Sequence, residues 1–302
     1  MPGLPKYPKV LQLGAVGAEP ERLFDGPVVI QEKIDGSQFA FGLDEDGKLC
    51  CRSHNSQIDM DEPEQMFREA VEWVKGVEET LRIFSTPGTT FYCEYLKKPK
   101  HNTLEYDHIP KNHLALFDVW NPQGWESLDS IQNRAEVLGI DSAAKYSFGE
   151  TSFPKAMSFL DRESQLGGTL AEGIVIKNHA KLIEVHGTIR PVFAKVVRPQ
   201  FKEKHKDNPE YKSPKASLEE WAAGLATEAR WLKAIQHLRE DGKLKGEPSD
   251  IGLLVRAVQA DVAEEEEDLI KDRLWQIHKK TILGATTKGL PEWYKGKLVT
   301  GF

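Results

Sequence analysis

The stretch Val28-Val29-Ile30-Gln31-Glu32-Lys33-Ile34-Asp35-Gly36-Ser37 runs from a β-branched strand into a turn pair, with a lysine at the junction. Three branched residues in a row favour extended backbone, and Asp-Gly is a strong turn signal. Phe39 and Phe41 then alternate towards a second turn at Asp46-Gly47, which reads as hairpin punctuation. A lysine held between a strand end and a glycine turn has rigid aim and room beside it for a phosphate. It attacks phosphorus only as the neutral amine, so its surroundings must lower its pKa. A surface hairpin fits the same four residues, Lys33-x-Asp35-Gly36.

Outward from this point the chain keeps a strand-rich character. Thr90–Leu96, His113–Trp120, Gly173–Lys177 and Val192–Val197 are strand candidates, and residues 63–81 carry helical spacing (Met66, Val71, Trp73, Val74, Val77, Leu81). Short connections without a strand-helix-strand rhythm imply an α+β fold with mainly antiparallel sheets. Residues 199–216 are charged and contain three prolines, which marks a linker. Ser217-Leu218-Glu219-Glu220 resembles a capping box and opens a helix that stops near Asp241-Gly242. Two further helices fit Asp250–Val262 and Glu264–Ile282, with the acidic run Glu264–Glu267 as the dipole-matched start of the last. The expected division is residues 1–205, a linker at 206–216, and a small all-α domain at 217–302.

Composition bounds the function. With 302 residues, 39% hydrophobic and 29% charged, the chain is globular and long enough for a substantial core. The three cysteines (Cys50, Cys51 and Cys93) are odd in number and two are adjacent, which suits buried thiols in a reducing, cytoplasmic setting. No signal peptide and no membrane-spanning stretch is expected. A net charge of −7 argues against non-specific nucleic-acid binding, yet residues 195–215 hold seven Lys or Arg against three acids. That strip reads either as a solvated linker or as a contact for phosphates.

Five later fragments place charges in apolar strands: Arg52 in Cys51-Arg52-Ser53, Glu94 in Phe91-Tyr92-Cys93-Glu94-Tyr95, and Asp118 after Phe117. Glu172 and Lys177 bracket Gly173-Ile174-Val175-Ile176, and Lys195 follows Phe193-Ala194. Any one of these is explained by a structural ion pair, since a lone buried charge is costly. The alternation of acid and base over the series suggests a pocket for a nucleoside triphosphate, with cations for phosphates, acids for Mg²⁺ and ribose, and an aromatic for the base.

In this order the fragments resemble the motifs of the covalent nucleotidyltransferase superfamily, whose N-terminal domain is an ATP-grasp-like ligase domain, and within it the RNA ligase 2 family. The resemblance implies that Lys33 attacks the α-phosphate of ATP and carries AMP covalently. It implies nucleotide contacts from Gln31, Glu32, Arg52, Glu94, Phe117, Glu172, Lys177 and Lys195. Of these, Glu32 would read the adenine amino group, Glu94 would hold the ribose and Phe117 would stack on the base. Glu172 and Glu94 would hold Mg²⁺, or Mn²⁺, and Lys33, Glu172, Lys177 and Lys195 would carry the catalysis. Arg52, Arg198, Lys202, Lys204 and Lys206 would meet nucleic acid. The stretch Lys195-Val196-Val197-Arg198-Pro199-Gln200-Phe201-Lys202-Glu203-Lys204 and the helical tail, in place of a β-rich OB module, favour the RNA branch. The implied protein is a monomer sealing nicked duplex RNA or RNA/DNA hybrid with 3′-hydroxyl and 5′-phosphate ends. Alternatives are an ATP-dependent DNA ligase lacking an OB domain, a capping guanylyltransferase, and a non-catalytic nucleotide binder. One departure stands out: Val197 occupies the second cationic position of the family's last motif, Lys-x-Lys.

Overall fold

The computed structural model describes residues 3–14, 17–185, 188–198 and 218–300. The chain divides into two compact units, residues 1–202 with 235–250, and residues 203–234 with 251–302. The twelve strands among the described residues are β1 (Leu11–Gln12), β2 (Val28–Lys33), β3 (Ser37–Leu43), β4 (Leu49–Ser53), β5 (Gln57–Ile58), β6 (Thr90–Tyr95), β7 (Leu114–Asn121), β8 (Gly124–Trp125), β9 (Asp141–Ser142), β10 (Lys145–Gly149), β11 (Gly173–Val185) and β12 (Thr188–Val197). Helices are α1 (Pro20–Leu23), α2 (Arg68–Gly76), α3 (Glu78–Phe84), α4 (Leu128–Leu138), α5 (Phe153–Met157), α6 (Leu218–Ala223), α7 (Glu228–Glu240), α8 (Ile251–Thr286) and α9 (Leu290–Thr300).

Two sheets build the first unit. One has the order β1-β12-β11-β2-β10, the other β5-β4-β3-β6-β7-β8 with β9 beside β7. Only β1 with β12 and β7 with β9 pair in parallel among the described strands. Each sheet has a dry outer face. Ile30, Ile174, Ile176 and Ala194 pack there with Leu23, Ala156 and Phe159. On the second sheet Phe39, Phe41, Phe91 and Leu116 pack with Phe67, Val71, Ile131 and Ala135. The inner faces meet through Tyr7, Ala40, Tyr92 and Phe193, so what alternates out of the two cores lines the space between the sheets.

The two turns differ in role. Asp46-Gly47 closes the β3–β4 hairpin, with Gly47 at φ 77°, whereas Asp35-Gly36 hands the chain from the first sheet to the second. The helix expected over 63–81 is two, α2 and α3, broken after Gly76, a residue that costs helix stability. In the tail the first expected helix is interrupted near Gly224 and ends before Gly242 at φ 64°. The last two expected helices are one continuous helix, α8. The acidic run therefore lies inside a helix: buried Glu266 accepts from the Arg230 guanidinium at 2.8 Å, and Asp261 accepts from the same group. Those partners, absent from a local reading, keep the helix unbroken.

The helical tail is also not one block, because residues 235–250 cluster with the sheets. Gln236 Nε2 donates to Gly36 O at 3.1 Å, and Ser37 Oγ donates to Glu240. Ser217, Lys202, Lys204, Lys206 and the linker 206–216 lie outside the described residues. Among the described residues no helix is long and apolar enough to cross a membrane.

Candidate active site

Strand register gathers the site. On β2, β11 and β12, Lys33 stands opposite Gly173, and Gly173 opposite Val197. One step along the same face are Gln31, Val175 and Lys195, and beyond them Val29, Lys177 and Phe193. Gly173 lets the strands close at the Lys33 end, since a Cβ there would sit 2.1 Å from Val196 O. Glu172, the residue before it, is thereby brought to Lys33: Nζ lies 2.6 Å from Glu172 Oε2.

Opposing effects act on that amine. Burial pulls the Lys33 pKa down, but Glu172, Glu94 and Asp35 outweigh it and leave the pKa above the ordinary lysine value. Burial likewise raises Glu172, against the pull of Lys33. Glu94 comes from β6 of the other sheet, where Gly36 N donates to its Oε1 at 3.1 Å. Burial, opposed by Lys33 and reinforced by Glu172, Asp35 and Glu240, pushes Glu94 up to about 8. Asp35 orders the neighbouring loop, its Oδ2 accepting from Thr103 N at 2.8 Å and Leu104 N at 2.7 Å.

A β-bulge shapes the far end. Tyr92 pairs with Asp118 and Cys93 with Leu116, so Phe117 is the extra residue in β7, and a bulge re-aims side chains. Phe117 and Asp118 consequently serve one side: Lys177 Nζ lies 5.0 Å from the Phe117 ring centroid and 2.9 Å from Asp118 Oδ2. Two buried amide atoms on Gln31 and Gln38, Oε1 and Nε2, have no hydrogen-bond partner. Gln31 shares the face of Lys33 and Lys195, so an orphaned acceptor sits where a polar ligand would satisfy it.

The sequence profile of RNA ligases matches residues 26–197. The chain belongs to the RNA ligase family. Similar solved structures are of Naegleria gruberi RNA ligase. The form with PPi shares 14% identity and covers 68% of this chain and 59% of that one at a TM-score of 0.48. A mutant with ATP and Mn shares 15% identity over 68% and 59% at 0.49, and a mutant with AMP and Mn 14% over 68% and 59% at 0.50. Likeness at this identity concerns the fold, and the chain spans about three fifths of the length of those proteins. No curated protein sequence matches the chain.

Against the family's motifs, the structure brings Lys33, Glu172, Glu94, Gln31 and Lys195 together and treats the others differently. Lys177 is not an open cation: it is buried with Asp118 and also donates to Phe117 O at 3.0 Å, and burial lowers its pKa. Arg52 turns to the N-terminal segment, donating to Leu4 O at 2.8 Å and Ser53 O at 3.1 Å. Glu32 faces away from Lys33 by strand alternation, its carboxylate accepting from Ser164 Oγ at 2.5 Å and Gln165 N at 2.9 Å. Phe117 is half-buried, edge-on to Tyr7 at 5.1 Å. Arg198 N donates to Glu172 O at 3.0 Å, so Arg198 braces the strand end that carries Glu172. Val197 lies buried on the Lys33 face.

Among the described residues no group of three or more His, Cys, Asp or Glu could hold a metal ion alone. The carboxylates of Glu172 and Glu94, both acting on Lys33, fit an ion that arrives with phosphate and water ligands of its own.

Sequence reading missed Tyr7, whose hydroxyl donates to Asp118 at 2.6 Å, and Tyr106, whose hydroxyl accepts from Asp35 N at 2.8 Å. It also missed the chain His101–Ser37–Glu240. Lys97 N donates to His101 Nδ1, which fixes the proton on Nε2, 2.9 Å from Ser37 Oγ. Ser37 in turn donates to Glu240. A tyrosine or histidine in a loop carries no periodic signal. Only the turn serine beside Lys33-x-Asp35-Gly36 was a visible clue.

Proposed function

We propose that this chain is an ATP-dependent RNA ligase that joins a 3′-hydroxyl to a 5′-phosphate through AMP carried on Lys33. The observation that carries the reading is the Lys33 ammonium at 2.6 Å from Glu172, on a face shared with Lys195 and an unsatisfied Gln31. Family membership and the convergence of Glu94 and Glu172 support it.

The chemistry follows from the charges. A divalent cation, when bound, would offset the acids and leave burial to favour the neutral Lys33 amine; its side chain keeps 28% exposure, a path to water for the proton. The neutral amine forms a bond to the α-phosphorus as the bond to pyrophosphate breaks. The adenylate then passes to a 5′-phosphate, freeing the lysine. A 3′-hydroxyl attacks that end and AMP leaves. Lys195 supplies fixed positive charge beside the phosphates, and Glu94 holds the nucleotide's hydroxyls. Mg²⁺ or Mn²⁺ beside Glu172 and Glu94, when bound, supplies charge neutralisation at the leaving oxygen.

The substrate we assign is a nick in duplex RNA or RNA/DNA hybrid, acted on by a monomer. With Cys50, Cys51 and Cys93 free, we place it in a reducing cytoplasm. Label from α-labelled ATP should attach to the wild type and not to Lys33→Ala; equal labelling removes the assignment. Sealing of matched RNA, DNA and mixed nicks separates this reading from a DNA ligase.

A further inference from the structure

The second unit contains a feature that the sealing chemistry does not use. From Lys271 to Val299 the sequence has seven Lys or Arg against two acids, inside a chain of net charge −7. The acids of the first half of α8 are engaged within the unit: Asp261 and Glu266 hold Arg230, and Lys233 lies 2.8 Å from Asp261. Apart from Lys271, which Glu267 pairs at 2.8 Å, the second half of α8 and all of α9 carry the positive charge.

This basic stretch also leaves large side chains uncovered. Trp275 is 47% exposed and Trp293 56%, with Ile282, Leu290 and Leu298 exposed beside them. Helices with so little packed surface are marginal alone, so an occupant adds what packing does not. The spacing says which kind. Lys279 follows Trp275 by one turn and lies with its ammonium 5.9 Å from the Trp275 ring. Lys297 likewise follows Trp293 by one turn, four residues on. Cations interleaved with aromatics on one face differ from a membrane-surface helix, where the basic residues take the face opposite the apolar one. They match a strand whose phosphates alternate with exposed base faces.

We propose that the helical stretch Lys271–Val299 is a docking surface for an unpaired nucleic-acid strand. Aromatic rings stack only on bases whose faces are open, so a fully paired duplex offers them nothing beyond its phosphates. The proposal rests on the ligase reading only for the source of the strand, an unpaired end or flank of the substrate.

The test uses the full chain carrying Lys33→Ala, so that binding is read without chemistry. Fluorescence anisotropy follows labelled oligouridylate, the matching oligodeoxythymidylate and a blunt RNA duplex of equal length over a salt series. Unpaired strands should bind better than the duplex. Trp275→Ala with Trp293→Ala should weaken them about tenfold or more while the urea unfolding midpoint stays in place. Lys279→Ala with Lys297→Ala should flatten the salt slope. The two oligonucleotides tell whether the sugar matters. Duplex binding equal to strand binding, or unchanged affinity in the tryptophan variant, overturns the proposal. So does a tryptophan variant that alters only self-association in ultracentrifugation, or only binding to anionic phosphatidylserine vesicles. Retained strand binding together with a wild type that never labels with ATP would sink the ligase reading and leave this one standing.

Discussion

Lys33 and Glu172 are bound as an ion pair at 2.6 Å although 139 residues separate them, and the amine meant to attack phosphorus is thereby held protonated before nucleotide arrives. The pair is a resting state with a stated trigger. Offsetting the negative charge of Glu172, Glu94 and Asp35 leaves burial as the dominant effect on the lysine, and burial favours the neutral amine.

Removing that partner should lower the Lys33 pKa. In nucleotide-free and metal-free Glu172→Gln, acylation of Lys33 followed by mass spectrometry should reach its midpoint at lower pH than in the wild type. An unmoved midpoint would mean that Glu172 does not set the charge of the nucleophile.

Glu240 gives a pH signature. Burial pushes its carboxyl up to about 7, above the unfolded value of about 4.3. An acid whose folded pKa is raised contributes most stability below the unfolded pKa, and the contribution is lost as pH rises through the folded one. The wild type should therefore lose on the order of 1–3 kcal/mol between pH about 5 and about 8 from this group. Glu240→Gln should show a shallower loss in urea unfolding. His101, lowered by burial to about 4, works in the opposite sense, since only the unfolded chain takes up its proton as pH falls to about 5; His101 and Glu94 titrate in both proteins and cancel in the difference. Parallel pH curves for the two proteins would contradict the burial of Glu240 against Ser37.

The Lys177–Asp118 pair is structural as well as local to the site. Breaking a buried pair from one side typically costs about 3–5 kcal/mol, because the other charge is left alone. Lys177→Met should be destabilised by that amount in denaturant unfolding. Adding Asp118→Asn should recover part of the loss. A Lys177→Met protein as stable as the wild type would show that the pair is open to water.

Gly173→Ala should cost about 2 kcal/mol or more and abolish labelling by ATP. Its new methyl would meet Val196 O at 2.1 Å and force β11 from β12, moving Glu172 and Lys195 together. Normal labelling of a stably folded variant would mean that strand closure at this point is not needed.

Much of this site was legible in the sequence. Glu94 and Lys195 stand out because a charge within an apolar strand is conspicuous, and the strands were found within a residue or two at the ends where the site lies. What could not be read is where each charge points. A one-residue bulge at Phe117 puts Asp118 beside Lys177 and converts an expected phosphate contact into a buried pair. Arg52 sits at its expected strand position, yet its guanidinium meets a carbonyl 48 residues away, at Leu4. The merger of two expected helices into α8 has the same origin, since Arg230 partners Glu266, one of the acids that looked like a helix start, and Asp261 one turn before it.

The sequence by itself determined the local quantities: strand against helix, the turn after Lys33, and the basic and aromatic composition of the last helices. These follow from backbone sterics and side-chain spacing over a few residues. Tertiary structure alone decided which charges are paired and which face the space between the sheets. The bonds concerned join residues 59 apart in Lys177 and Asp118, and 203 apart in Ser37 and Glu240. Coulomb attraction and desolvation depend on distance in space, and no window along the chain contains both partners.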